Sequence, residues 1–367
     1  SPWEPSPFRG LPSRKKLSIA LFFFAFYFIV IPAEAGIQSM NLDDYNYFLP
    51  EKNLALEPSV PRDSSKLFIY ETAVDKITFD HFYNIDKYLP KDSFMVMNNT
   101  KVLPARVTMK KESYGKVILL FLINELTSLR VVKVLADRKI NVGENIYFDQ
   151  DNYLKVIEQN ENIFKLKFNF SREHLFSLLN KYGTMPIPPY LKKSSLSRDE
   201  LLEKYQTIFA KTDGSSAAPT ASLHFTDEVF KKLDKRGIER LFVTLHVGMG
   251  TFAPITDENI KQKKLHEEFY EIDRNTLKYI EINRNKGKKL VAVGTTVTRT
   301  LESVARQKQL SLLSKTDLFI FPPYNFKMID VMITNFHLPK SSLMMLVEAF
   351  LQNKKAKKSL VELYNIA

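Results

Sequence analysis

The chain has 367 residues, 44% of them hydrophobic, enough for two globular domains or for one with a large insertion. It contains no cysteine, which excludes disulfides, thiolate zinc sites, iron–sulfur ligation and cysteine nucleophiles. Lys+Arg 53 against Asp+Glu 41 gives a net charge of +12, which favours an anionic partner, nucleic acid being the commonest; much of the excess lysine stands in solvated runs such as Lys354–Lys358.

At the N-terminus Arg14, Lys15 and Lys16 precede the apolar run Leu17–Ile31, and Ala33-Glu34-Ala35 follows. Alone, that is the pattern of a secretory signal: basic head, apolar centre, small-x-small site. The run is shorter than the roughly 20 residues of a spanning helix. The chain opens on Ser1, and a different, polar texture begins at Met40. Residues 1–39 are therefore read as an extension outside the fold; a secreted or tethered protein is the competing reading.

From Met40 the elements follow in order. Strands are expected at Leu67–Tyr70 and Phe94–Met97, the second ending in a turn at Asn98–Lys101. Runs at Lys116–Ile123, Leu129–Leu135, Glu144–Phe148 and Ile163–Phe170 are strand-length, rich in Val, Ile, Leu and Phe, and punctuated by Gly115 and Gly143. After residue 171 strands alternate with helices: a helix at Asp227–Arg236 capped by Thr226, a strand at Leu241–Val247, a strand at Lys289–Val293 turning through Gly294 into a helix at Val297–Gln307, strands at Leu318–Phe321 and Val331–Ile333, and a helix at Ser342–Leu351 capped by Ser341. The expected architecture is an α/β core domain, 40–97 and 171–367, with an inserted all-β barrel-like module at 98–170.

Several blocks carry residues suited to chemistry. In Asn98–Arg106 a strand end is followed by polar side chains and two cations, which suits an oxyanion; taken on its own, a plain hairpin with a solvated Lys and Arg is the favoured reading. Gly183–Tyr190 holds three prolines that fix an extended path, either presenting Tyr190 for stacking or forming a rigid linker. The segment Tyr205–Thr226 is small and polar, without amphipathic period, and a long structureless stretch in a compact domain is commonly functional. It offers hydroxyls at Ser215, Ser216 and Thr220, allows close approach at Ala217, Ala218 and Ala221, and ends in His224, a residue that titrates near neutrality.

The strand Val243–Val247 puts Thr244, His246 and Gly248 on one face, with Gly248 and Gly250 at its C-terminal end, where open α/β sheets bind ligands. His266–Glu268 sets an imidazole beside carboxylates; a charged surface strand is the plainer reading. Ala292–Thr300 is strand, tight turn and helix N-terminus, an anion site of free amides at Gly294, Thr295 and Thr296, with Arg299 placed to clamp a carboxylate or phosphate. Finally, Thr334, Asn335 and His337 converge on the end of a strand.

Taken together, the loop Gly214–Thr226 (GSSAAPTASLHFT), the strand Val243–Phe252 (VTLHVGMGTF), the turn Val293–Thr296 (VGTT) and the turn Ile333–Ser341 (ITNFHLPKS) resemble the S-adenosylmethionine:tRNA ribosyltransferase-isomerases of queuosine biosynthesis, from Met40 to about Phe350. The resemblance implies an α/β core with an inserted barrel. It implies an enzyme that takes S-adenosylmethionine as cosubstrate and passes its ribosyl group to 7-aminomethyl-7-deazaguanine at the tRNA wobble position. The ribosyl group isomerises to the epoxycyclopentane of epoxyqueuosine, and adenine and methionine leave. It implies no metal or other cofactor, no membrane, a cytoplasmic location and a monomer that binds the tRNA anticodon region.

A proton must leave the carbon beside the sulfonium, and His224, His246 and His337 are the candidate bases. Ser215, Thr220, Thr244, Gly248, Gly250, Glu268, Gly294, Thr295, Thr296, Arg299, Thr334 and Asn335 are expected around the substrates, and Lys101, Arg106, Lys211 and Lys340 on tRNA phosphates. The chain departs from the family at Ser216 and Ser222, where valine and glycine are usual, at Glu267, where serine is usual, and at Pro323, where glycine is usual. Residues 1–39 are expected to have no counterpart, and the family's C-terminal tail is expected to be lacking. An impaired relative that still binds tRNA is the alternative expectation.

Overall fold

The computed structural model describes residues 23–27, 41–123, 130–160, 163–187, 195–248 and 255–367. Chain order opens with β1 (Phe23–Tyr27), β2 (Lys66–Glu71), β3 (Lys76–His81), β4 (Ser93–Asn98) and β5 (Thr100–Val102). The insert follows as β6 (Arg106–Lys111), β7 (Lys116–Phe121), β8 (Val131–Ala136), β9 (Asn145–Tyr147), β10 (Tyr153–Asn160), β11 (Ile163–Lys167), α1 (Arg172–Tyr182) and β12 (Gly183–Thr184). The return to the core runs α2 (Arg198–Lys204), β13 (Thr212–Ser215), α3 (Asp227–Lys235), β14 (Glu239–Leu245), α4 (Asp257–Gln262) and β15 (Lys264–Glu271). It ends with α5 (Arg274–Asn285), β16 (Lys289–Val293), α6 (Thr295–Val304), β17 (Leu313–Leu318), β18 (Val331–Asn335), α7 (Ser342–Asn353) and α8 (Leu360–Ile366).

The core is a mixed sheet in the order β17-β15-β14-β4-β16-β18-β1-β2-β3. At its centre β14, β4, β16 and β18 are parallel; β4, β16 and β18 are mostly apolar and buried, as strands covered on both faces are, while β14 is polar where it begins at Glu239 and Arg240. Alternation divides the side chains of β2, β4, β16 and β18 between the two faces. Phe68, Phe94, Val96, Ala292 and Met332 pack on one face with residues of α5, α6, α7 and α8. Leu67, Met95, Met97, Val291, Val293 and Ile333 pack on the other with Phe82 and Ile85 of a 3-10 helix and with Val229 and Leu233 of α3. The chain leaves β4 and places β14 on one side of it and β16 on the other, so the crevice at the carboxyl end of β4 is where such a sheet accepts ligands.

The insert is a closed antiparallel barrel of β6, β7, β8, β11, β10 and β9, shut by the β6–β9 pairing and plugged by Leu175, Leu178 and Leu179 of α1. Closure leaves no edge strand to protect. Gly183 then returns the chain against β6, and a Cβ there would lie 1.7 Å from the Pro104 carbonyl oxygen, so the crossing is open only to glycine.

Three expectations change. Residues 1–39 are expected outside the fold, yet Phe23–Tyr27 forms β1, parallel to β2 and antiparallel to β18. Without it both neighbours would carry an unpaired row of amides and carbonyls. The strand expected at Leu318–Phe321 ends rather than begins at Leu318: the polar stretch Leu313–Leu318 is an edge strand on β15, and Phe319 and Ile320 beyond it are buried side chains outside any strand. The turn expected at Asn98–Lys101 contains β5, which pairs in parallel with β13 of the small-residue loop. Among the described residues no helix is long and apolar enough to cross a membrane.

Candidate functional site

A cavity opens at the carboxyl ends of β16 and β18. Its floor is the turn Gly294–Thr296 and the stretch Thr334–Leu338; its walls are Ala217–Ala221 with Leu223, the start of α7 with Ser341 and Leu343, and a lip of Ala55–Pro58 with Leu196, Leu201, Lys204 and Tyr205. The small residues explain how chain and cavity coexist. Ala217, Ala218 and Ala221 are buried and carry only a methyl group, so the loop runs along the sheet end while leaving room beside it. Gly294 turns at φ +96, a left-handed conformation suited to glycine, and starts α6 without a side-chain cap. The first amides of this ten-residue helix therefore face the cavity with the positive end of the helix dipole.

Of the expected substrate residues, Thr220, Gly294, Thr295, Thr296, Thr334 and Asn335 line this cavity, and so does His337. Its ring Nε2 is 3.1 Å from Thr334 Oγ1. Its backbone is fixed from both sides: the amide donates to Tyr364 Oη at 3.0 Å, and the carbonyl accepts from Tyr47 Oη at 2.7 Å. Burial pushes its pKa down to about 3, so it stands neutral at physiological pH.

The other two histidines are elsewhere. His224 is buried with Nδ1 2.6 Å from Ser65 Oγ and 3.3 Å from the Arg62 carbonyl. Ser65 Oγ already donates to that carbonyl at 2.7 Å, so Nδ1–H is the donor of the pair. This histidine fastens the 3-10 helix Arg62–Ser64 to the core and does not line the cavity. Desolvation, opposed by the Arg62 carbonyl, holds its pKa near 3. His246 faces away from the cavity, with Nδ1 2.8 Å from Thr100 Oγ1. Its ring lies over Gly214 (φ +146), where a Cβ would approach to 2.9 Å, so the ring and any side chain at 214 exclude each other. Burial first, then the Arg172 charge, lower its pKa to about 4 against the pull of Asp213.

The remaining candidates are spent on structure. Ser215 Oγ donates to the Ala217 carbonyl and accepts from Val247 N. Thr244 Oγ1 donates to Asn99 Oδ1. Glu268 accepts from Gly248 N at 3.0 Å and pairs with Arg299, whose guanidinium also donates to the carbonyls of Leu318 and Thr316. Arg299 therefore does not clamp an anion in the cavity: its side chain reaches across α6 to the edge strands. Gly250 and Tyr190 lie outside the described residues. Lys101 pairs with Asp213 and Lys340 with Asp43, while Lys211 is exposed and Arg106 stands on the barrel. Ser216 and Ser222 carry buried hydroxyls with no hydrogen-bond partner among the described residues. Sequence reasoning missed the lip at Ala55–Pro58 and at Leu196–Lys204, although Ser197 and Glu200 there form a capping box that marks a helix start. It placed Asn98 in a candidate oxyanion block but not its tying role: the side-chain amide joins Leu245, Thr100 and Thr296 Oγ1 across three segments.

His224 and His337 both bear on stability. Their folded pKa values lie below the unfolded value of 6.5, so below pH 6.5 the unfolded chain binds more protons. The associated stability is complete above that pH and is lost as pH falls from 6.5 towards about 3. Thermal unfolding of the chain and of a His224→Gln variant across this range checks it: the gap in Tm is expected to narrow with acidity, and a constant gap would remove His224 from the account.

An α/β sheet carrying a small-molecule cavity at its carboxyl edge, with a barrel inserted beside it, defines the class. The family model for the queuosine biosynthesis protein matches residues 42–367, and the chain belongs to that family. A Thermosipho melanesiensis relative is 42% identical over 330 residues, 89% of this chain and 95% of its own length. One from Carboxydothermus hydrogenoformans is 42% identical over 319 residues, 86% of this chain and 93% of its own. Both are named S-adenosylmethionine:tRNA ribosyltransferase-isomerase. A solved structure of S-adenosylmethionine tRNA ribosyltransferase from Thermotoga maritima covers 88% of this chain and 94% of its own, at 30% identity and a TM-score of 0.48.

Proposed function

We propose that the cavity holds S-adenosylmethionine and that the chain transfers and isomerises its ribosyl group onto 7-aminomethyl-7-deazaguanine in tRNA, giving epoxyqueuosine-tRNA with release of adenine and methionine. The observation that carries this is near full-length agreement, at 42% identity, with relatives bearing that name. The geometry supports it. The amides that begin α6 suit the methionine carboxylate. The apolar walls suit a purine and the carbons beside a sulfonium. His337, on the cavity floor with Thr334 Oγ1 beside its Nε2, is the imidazole placed to accept a proton from the carbon next to sulfur, although its lowered pKa makes it a weaker base than a free imidazole. Binding at the tRNA anticodon region, a monomeric state, independence of metal and a cytoplasmic location belong to the same reading. The exposed Lys211 and the barrel's Arg106 are its candidate phosphate contacts.

The full chain, incubated with S-adenosylmethionine and tRNA carrying the aminomethyl-deazaguanine, is expected to release adenine, read by chromatography. Release without modified tRNA, or none with it, overturns the proposal; tRNA binding without release would mark an impaired relative.

A further inference from the structure

Asn335 closes β18 and is 3% exposed. Both its Oδ1 and its Nδ2 are buried without a hydrogen-bond partner. A buried carboxamide left unmet at both ends carries an uncompensated desolvation cost, and native structures rarely keep one without a use. The residue lines the cavity, as do Ala221, Gly294 and Thr295. Alternation along β18 turns it to the sheet face of Val331 and Ile333, opposite to that of Met332. Thr334 and His337 form their own pair, so Asn335 is not part of it. The terminal torsion of asparagine is broad and roughly two-fold, so a small turn brings its edge to the cavity.

Resting on the function proposed above, we infer that Asn335 reads the adenine of the cosubstrate: Oδ1 accepts from the N6 amine and Nδ2 donates to N7. The ligand's two charged hydrogen-bonding groups fit it less well. The methionine carboxylate offers acceptors only and would leave Oδ1 unmet; the ammonium offers donors only and would leave Nδ2 unmet. An adenine edge presents one donor beside one acceptor at the spacing of a carboxamide, the pairing by which asparagine reads adenine in nucleic acids. The small and apolar side chains of Ala217, Ala218 and Val247 line the same cavity and give the ring a surface to lie on. Asn335 is thereby a specificity-determining residue, and the ring it holds is the one that departs.

The test separates binding from turnover. Titration calorimetry of the full chain, with and without tRNA, compares S-adenosylmethionine with two sulfonium analogues, one carrying 7-deazaadenine, which lacks the N7 acceptor, and one carrying hypoxanthine, which replaces the N6 donor. The wild type is expected to bind each analogue roughly 10- to 100-fold more weakly. Asn335→Ala is expected to bind all three alike, at the weaker level. Asn335→Asp keeps an acceptor and loses the donor, so it is expected to discriminate against the hypoxanthine analogue and no longer against the 7-deaza analogue.

Equal binding of all three by the wild type overturns the inference without any variant. So does a loss in Asn335→Ala that is uniform while discrimination persists; that result would fit a structural water joining Asn335 to the Ser222 hydroxyl. Failure to bind S-adenosylmethionine in either condition removes the functional reading itself, and this assignment with it.

Discussion

Replacing His337 with alanine is expected to lower adenine release roughly 100- to 10,000-fold, the usual contribution of a positioned acid–base group. The KM for S-adenosylmethionine should stay within a few-fold of wild type. Tertiary structure should survive, because the segment is held by its backbone: Tyr47 and Tyr364 bind its carbonyl and amide whatever the side chain. These two tyrosines pack edge to face at 5.1 Å, and Phe336 packs on Tyr364 at 4.5 Å. The pH dependence sharpens the test. A histidine with a pKa depressed to about 3 stays in its proton-accepting form well below pH 6.5, so the acidic limb of kcat should lie far under the range of a free imidazole. Thr334→Val removes the oxygen beside Nε2 and should lower kcat by a smaller factor with unchanged KM. A His337→Ala variant that keeps kcat and raises only KM would reassign the residue to binding. Release would then need another base, and neither His224 nor His246 lines the cavity.

What could be read from the sequence was whatever announces itself locally. A strand that stops at a glycine and restarts as a helix is visible in Val293–Thr295, and so is the strand end that carries Thr334 and Asn335. The barrel was visible as short apolar runs at close spacing; the ring-closing pair of Lys110 and Lys111 with Tyr147 and Ile146 was not, because nothing in either strand names its partner. Helices α1 and α5 escaped notice because their exposed faces are polar and their buried faces are narrow, Leu175, Leu178 and Leu179 in one and Leu277 and Ile280 in the other. The histidines mark the same limit more sharply. His224 stands in the most distinctive loop of the chain, yet what decides its role is Ser65, 159 positions earlier. A motif records that a residue matters; its partner records why.

Arg299 carries that lesson into a second prediction of large effect. Its place near the start of α6 invites an anion clamp, whereas its guanidinium is shut among Glu268, the Leu318 carbonyl and the Thr316 carbonyl, 6% exposed. Glu268 is 2% exposed and also receives Gly248 N, so one carboxylate links the end of the β14 segment to α6. Arg299→Ala would strand a charge in the interior, and breaking such a pair from one side typically costs about 3–5 kcal/mol. The expected result is a large fall in the urea midpoint, with activity per folded molecule much less affected. Neutralising both sides together, Glu268→Gln with Arg299→Met, should recover a good part of the loss, because no unpaired charge is left behind. The Gly248 amide keeps an acceptor in that double variant, so the strand end stays tied. If Arg299→Ala instead unfolded like wild type and raised the KM for S-adenosylmethionine at least tenfold, the guanidinium would be gripping the methionine carboxylate after all. The amides of Thr295 and Thr296 would then lose the role given to them here.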